Sequence, residues 1–252
     1  MSIDLNEKKE SCTSVIIDIR NFSETFRKYQ IINDNRFYEF LNNYYNISNT
    51  VVKIVSTNSY ISSTGDGSLT IFKGYHNHLE GYAYSLIMNG ILTDMINKFN
   101  HDNNENISFG IGSDSGNIWK IGREHLTTYV GTVINRSARI QELTKMFDNT
   151  MTIIGNTLYK RLIKKFYLDT YNIMEEYNNY DELLNENPEY ILISKKLLLQ
   201  YLSDMELKGI DKRASLFRLS ASLYSDKKKL IKLLSKLIGD EKIKLLKENG
   251  II

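Results

Sequence analysis

Hydrophobic and polar positions alternate in a way that lays out the first half of the chain. Val15-Ile16-Ile17-Asp18-Ile19 is a short apolar run of buried-strand type that carries one carboxylate. Phe37, Phe40, Leu41, Tyr44, Ile47, Val51 and Val55 recur at helical spacing and predict one long amphipathic helix. Between the two lies Arg20-Asn21-Phe22-Ser23-Glu24, where Asn21 or Ser23 is placed to cap a helix whose first N–H groups point outward. Residues 60–72 read as two strands folded over Gly65-Asp66-Gly67, glycines free to take positive φ around a single carboxylate. A second helix is predicted over about 75–99, with Ala83, Leu86, Ile87, Ile91 and Met95 inward.

Further along, residues 107–112 and 116–121 predict two strands joined by Gly112-Ser113-Asp114-Ser115-Gly116. A short strand at 127–130 leads into a loop at Gly131 and a helix running to Lys145. A strand at 151–154 and a helix at 158–166 follow. From 167 to 202 the periodicity blurs, and the polar stretch around Pro188 predicts a surface insertion. Residues 205–210 and 216–219 predict a closing hairpin. Residues 226–249 predict a helix with Leu230, Leu233, Leu234, Leu237 and Ile238 on one side and Lys227, Lys228, Lys229, Lys232 and Lys236 mostly opposite. The strand–helix–hairpin–helix–strand order predicts an α/β sandwich of ferredoxin-like βαββαβ type with a mixed, largely antiparallel sheet. The domain reading is a polar lead-in over 1–12, one catalytic domain over 13–221, and a helical extension over 222–252.

Composition narrows the function classes. A net charge of +2 over 252 residues implies no large field toward nucleic acid or membrane. No apolar run approaches the roughly 20 residues that span a bilayer, and the polar start is no signal peptide. A lone cysteine, Cys12, forms no intrachain disulfide, which suits a reducing cytoplasm. His76, His78, His101 and His125 lack metal-ligand spacing with it and read as surface residues.

Three constellations carry candidate chemistry. Asp18 and Asp66 are hard oxygen donors, and such a pair on adjacent strands can hold one or two Mg²⁺ or Mn²⁺ ions. Asn135 and Arg139 are four apart and share a helix face; an amide there can hold a ribose oxygen, and a guanidinium can stabilise a transferring phosphoryl group. Lys208 beside Gly209 can approach a phosphate closely. Taken singly, each residue is equally at home as a cap, a turn residue or a solvated helix position.

Together the pieces resemble the catalytic domain of class III nucleotidyl cyclases over roughly residues 13–221. Asp18-Ile19-Arg20-Asn21-Phe22-Ser23 is similar to the family's Asp-Ile-x-x-Phe-Thr/Ser segment, and Thr64-Gly65-Asp66-Gly67 to its Gly-Asp hairpin. Gly112 to Ile118 resembles its Gly-x-x-x-Gly-x-Val stretch. Gly131 to Arg139 resembles its Gly-x-x-Val-Asn-x-Ala-x-Arg, and Leu207-Lys208-Gly209 its late Lys-Gly element. The resemblance implies two divalent metal ions held by Asp18, Asp66 and the Ile19 carbonyl. It implies a triphosphate cradled by backbone N–H groups at Asn21, Phe22 and Ser23, with Gly65 beside it and Lys208 reaching it. Asn135 would orient the ribose and Arg139 would stabilise the α-phosphoryl transition state. It also implies a homodimer with two composite sites.

At the positions that read the base, this chain has Ser62 and Thr128, neither the Lys/Asp pair of many adenylate cyclases nor the Glu/Cys pair of guanylate cyclases. Thr128 does match bacterial adenylate cyclases in residue type. In overall form the chain resembles the pyrimidine cyclases of bacterial Pycsar antiphage defence, which implies cyclic UMP or cyclic CMP made in the cytoplasm for a separate effector. Bacterial adenylate cyclase and a catalytically inert nucleotide-binding dimerisation module are the rival readings. A diguanylate cyclase is disfavoured, because Thr64 to Ser68 lacks a Gly-Gly-Asp/Glu-Glu-Phe type of hairpin.

Overall fold

The computed structural model describes residues 9–122, 128–147, 151–166, 196–208, 214–219 and 226–252. Strand β1 (Glu10–Arg20) starts earlier than the apolar run alone predicts. Two helices follow where one was expected: α1 (Phe22–Ile31) and α2 (Arg36–Val55), separated by a turn in which Asn33 takes φ 52°. The hairpin is β2 (Ser59–Ser63) and β3 (Gly67–Lys73), then α3 (Asn77–Asn103). Strand β4 (Ser108–Ile121) leads to β5 (Thr128–Val130) and α4 (Thr132–Leu143), which ends in a 3-10 turn at Thr144–Met146. Strand β6 (Met151–Gly155), α5 (Asn156–Phe166), β7 (Leu199–Met205), β8 (Ala214–Leu219), α6 (Lys227–Ile238) and α7 (Asp240–Glu248) complete the described elements.

The sheet order is β2-β3-β1-β4-β6-β8-β7, with β5 paired to β4 off this path. All neighbouring pairs are antiparallel except β4 with β6. The first four strands and the helices between them form the expected ferredoxin-like unit. Strand β1 lies in its centre and divides two environments with the period-2 alternation of a strand. Val15, Ile17 and Ile19 enter the main core with α2 and α3. Ser14, Asp18 and Arg20 face α4: the Ser14 carbonyl accepts from Ser137 Oγ at 3.0 Å, and Arg20 Nη2 donates to Thr144 Oγ1 at 2.6 Å.

Helix α3 is buried on every side from Leu79 to Met88 except at Glu80, because it runs between the sheet and helices α2, α5 and α6. A single apolar stripe therefore describes it poorly, and Leu92 and Ile96 are buried where Ile91 and Met95 are only half-buried. The expected single C-terminal helix is two, broken at Gly239 with φ 86°. Asp226 caps the first, accepting from the N–H groups of Lys228 and Lys229. Leu233, Leu234, Leu237, Ile238, Ile243 and Leu246 join the main core, so both helices pack on the body of the fold. The predicted closing hairpin is displaced: its first strand is Leu199–Met205 and pairs with Ala214–Leu219. Of the predicted insertion, residues 167–195 lie outside the described residues, and Leu199 to Leu202 belong to β7.

The glycine-rich connection predicted at 112–116 is not a turn. β4 runs through it unbroken. Gly112 and Gly116 leave room for α4: a Cβ on Gly112 would collide with Ser137 O and Gln141 N, and one on Gly116 would come within 2.9 Å of Val133 Cβ. Asp114, between them, is fully buried. Its Oδ1 accepts from Leu158 N and Ser115 N, and Arg136 Nε lies 2.8 Å from its Oδ2. The pattern is therefore a helix-docking track. Gly112→Ala should push α4 off the sheet and cost about 1–3 kcal/mol, as overpacking does. A thermal melt followed by circular dichroism reads this as a lowered midpoint; an unchanged midpoint would contradict the seating of α4 on Gly112.

Candidate active site

Asp18 lies near the C-terminal end of β1, directly opposite Gly67 of β3 and Gly110 of β4. Gly67 has no positive φ; its role is close approach, since a Cβ there would collide with the Ile17 carbonyl. Gly65, with φ 90°, supplies the left-handed residue of the turn. The Ile19 N–H donates to the Asp66 carbonyl at 2.8 Å, so the hairpin tip is bonded to the strand that carries Asp18. Asp18 and Asp66 thus share one corner of the sheet. Partial burial raises the pKa of Asp18, the charge of Asp66 raises it further, and Lys145, Gln141 and Arg20 act in the opposite sense. A carboxylate whose charged form is disfavoured by burial and by a second carboxylate beside it is a fitting donor, together with that neighbour, for a hard divalent cation. Among the described residues no group of three or more His, Cys, Asp or Glu side chains gathers into a metal cluster. A cation at this corner would draw on the two carboxylates and the neighbouring Ile19 carbonyl.

Helix α1 opens three residues beyond Ile19. Asn21 takes φ 60° and ψ 15°, a left-handed conformation that Asn tolerates, and its Nδ2 donates to the Asn106 carbonyl at 2.7 Å. That sharp entry places the first N–H groups of α1, including those of Phe22 and Ser23, next to the carboxylate corner. Phe22 itself stacks on Phe26 at 5.6 Å and packs against Phe37, so its side chain fastens the helix start.

The hairpin tip is braced from α2. Tyr45 Oη donates to the Gly65 carbonyl at 2.9 Å and reaches the Gly67 carbonyl at 3.4 Å. Tyr44, fully buried, shares a hydrogen bond with Ser68 Oγ at 2.8 Å. Neither tyrosine stands out in sequence, because Tyr44 reads as part of an apolar stripe and Tyr45 as its neighbour.

The second residue set lies elsewhere on the chain. Val133, Ser137, Ile140 and Gln141 form the buried face of α4. Asn135 and Arg139 project from its outer face; Asn135 is exposed, and Arg139 Nη1 pairs with Glu142 at 2.7 and 2.8 Å. Lys208, exposed, follows Leu207, which packs with Ile140 of α4. Asn135 and Arg139 are therefore on the outer face of α4, turned away from the inner face through which Gln141 meets Asp18, and Lys208 stands beside Leu207 at the flank of the same helix. Ser62 is opposite Leu69, which is opposite Ile16, so Ser62 shares the sheet face of Asp18, about 7 Å back along the strands. Thr128 is exposed on β5. Its neighbour Tyr129 meets Tyr60 edge-on at 5.1 Å and accepts from Lys73 Nζ at 2.9 Å, which draws β5 and β2 together.

The sequence reading missed residues at the corner itself. Gln141 Nε2 donates to Asp18 Oδ2 at 3.0 Å, and Lys145 Nζ lies 3.7 Å from the same oxygen. The available signal was spacing: Gln141 stands four residues after Ser137, a polar pair in the buried stripe of α4.

No protein-family model matches the chain, and no curated protein matches it. Solved structures do. The adenylyl cyclase CyaB from P. aeruginosa aligns with a TM-score of 0.60 at 15% identity, over 85% of this chain and 96% of that one. The guanylate cyclase domain of RhGC from Catenaria anguillulae, solved with GTP, gives 0.54 at 16% identity over 84% and 97%. Adenylate cyclases from Trypanosoma brucei, solved in their monomeric state, give 0.56 at 10% identity over 84% and 90%. The chain has the fold of class III cyclase catalytic domains. In this cyclase fold no described helix is long and apolar enough to cross a membrane.

Mn²⁺ should raise the melting temperature of the nucleotide-free protein, since a ligand at a hundred times its Kd adds about 2.7 kcal/mol. Asp66→Asn should abolish the rise and leave the unliganded midpoint within about 2 °C, as an isosteric change in a half-buried turn does. A rise of equal size in the variant would remove Asp66 from the metal site.

Proposed function

We propose that this chain is a metal-dependent nucleotidyl cyclase that converts a nucleoside triphosphate to its 3′,5′-cyclic nucleotide and pyrophosphate. The observation that supports this most is the corner at which Asp18 and Asp66 meet beside the start of α1, on a cyclase fold. In this reading the carboxylates and the Ile19 carbonyl hold two divalent ions, Mg²⁺ or Mn²⁺. Such ions lower the pKa of an attacking hydroxyl and neutralise charge on the phosphates. The N–H groups of Asn21, Phe22 and Ser23 receive the triphosphate, with Gly65 beside it. The ribose 3′-hydroxyl attacks the α-phosphorus in line, the bond to the bridging oxygen breaks, and pyrophosphate leaves. The protein contributes positioning and charge.

Asn135 orients the ribose, and Arg139 stabilises the charge that builds on the α-phosphoryl group. Arg139 is held in one chain only by a half-exposed pair with Glu142, and such pairs are worth about 0–1 kcal/mol, so the guanidinium is easily diverted to a phosphate. In this reading these two residues, with Lys208, come from a second copy; the outward-facing position of Asn135 and Arg139 on α4 supports it. The assembly is thus a homodimer with two composite sites, each closed by residues of both chains.

The base is proposed to be a pyrimidine, uracil before cytosine, on the strength of Ser62 standing where purine cyclases carry a Lys or a Glu; Thr128, a residue type shared with bacterial adenylate cyclases, does not discriminate. The product would act as a second messenger read by a separate effector in antiphage defence. Incubation with equal ATP, GTP, CTP and UTP and Mn²⁺, followed by chromatography, should yield cyclic UMP or cyclic CMP with pyrophosphate. Cyclisation of ATP alone would overturn the pyrimidine assignment and leave a bacterial adenylate cyclase. A rise in melting temperature with Mn²⁺ and UTP, without any cyclic product, would make the chain an inert nucleotide-binding module.

A further inference from the structure

The end of α4 crosses the carboxylate corner, and this contact has no part in the roles given above. Arg20 Nη2 donates to Thr144 Oγ1 at 2.6 Å, and Arg20 Nη1 reaches the Phe147 carbonyl at 3.4 Å. These bonds pin the turn that follows α4 against the strand end from which α1 starts. Lys145 lies on that turn. Its ammonium is 3.7 Å from Asp18 Oδ2, and Gln141 Nε2 donates to the same oxygen at 3.0 Å. Gln141 is buried, and its backbone is wedged against Gly112, so its amide is fixed in place. Lys145 is different: its side chain is 56% exposed and it reaches Asp18 at the end of a flexible four-carbon stem. One oxygen of the central carboxylate is therefore held by a rigid neutral donor and by a movable cation of the same chain.

We propose that Lys145 is a built-in counter-ion that changes partner when the site fills. It neutralises Asp18 while the corner is empty and turns to the triphosphate once metal and nucleotide enter together. The inference rests on the reading of Asp18 and Asp66 as metal ligands. Electrostatics gives the exchange its direction. An ammonium beside Asp18 repels a bare divalent cation and competes for the carboxylate. A cation that arrives with a triphosphate brings several negative oxygens to the mouth of α1, next to the turn on which Lys145 stands, and these attract the ammonium away. Lys145 thus opposes metal alone and favours metal with its anionic substrate. It discourages occupation of the corner by free metal.

The two effects have opposite signs, which a merely structural role would not produce. Lys145→Gln removes the charge from an exposed side chain, and Lys145→Arg keeps it. Binding of Mn²⁺ alone to the nucleotide-free protein, followed by electron paramagnetic resonance of the free ion, should tighten about fivefold at low salt in Lys145→Gln, with the gain shrinking as salt screens the charge. Binding of inorganic pyrophosphate in saturating Mg²⁺, followed by calorimetry, should weaken about fivefold or more in the same variant. Lys145→Arg should stay near the wild type in both. Unchanged or weaker Mn²⁺ binding in Lys145→Gln would overturn the exchange, as would unchanged or tighter pyrophosphate binding, even with the metal site intact. A wild-type protein that binds no Mn²⁺, or binds it as well in Asp66→Asn, would overturn the metal-site reading and the exchange with it.

Discussion

The pairing of Gly67 with Asp18 is the contact on which the rest of the site depends. Strand β3 can lie against β1 at this point only because position 67 has no side chain to meet the Ile17 carbonyl. That closeness brings the hairpin tip to the end of β1 and lets the Ile19 N–H bond the Asp66 carbonyl. Charge then follows geometry. Two carboxylates in one half-buried corner are poorly placed as a pair of bare anions, and the Gln141 and Lys145 contacts on Asp18 relieve part of that burden. The corner is rigid because it is fastened from behind: Tyr45 holds the turn carbonyl, and Tyr44 holds Ser68 beneath it.

Helix α4 makes the second half of the account possible. Its inner face sits on the glycine track of β4 and ends at Asp18, while its outer face carries Asn135 and Arg139. Residues six positions apart on one helix, Asn135 and Gln141, therefore serve different sites in the proposed dimer. Gln141 steadies the corner of its own chain, and Asn135 completes that of the partner. The burial of α6 and α7 against α3 and α2 adds support from the far side of the sheet, including the ion pair of Lys242 with Glu80 at 3.5 Å.

Much of the fold was legible because it rests on period. The apolar run at 15–19, the helical stripe at 37–55 and the hairpin around Asp66 all led to the right elements. Glycine misled where periodicity gave no help. Gly112 and Gly116 look like turn residues, yet each is there to admit a helix, a reason that lies in another segment of the chain. Gly67 likewise serves approach rather than φ. The closing strand at 199–205 was missed because Leu197-Leu198-Leu199 is an unbroken apolar run that shows no period. At the candidate site, Asp18 and Asp66 were singled out from local pattern. Gln141, Lys145 and Tyr45 were not, since each gains its meaning from a partner at least 20 residues away. Asn135 and Arg139 were legible as one helix face, and that face points outward.

The central claim is that one chain supplies the acidic corner and another the amide and guanidinium. The most direct test mixes two inactive variants, Asp66→Ala and Arg139→Ala, isolates the heterodimer through distinct affinity tags, and assays cyclic nucleotide formation. One of its two sites is then intact, and the account predicts about half the activity of the wild-type dimer from two silent parents. A verified heterodimer that stays silent would contradict the shared site.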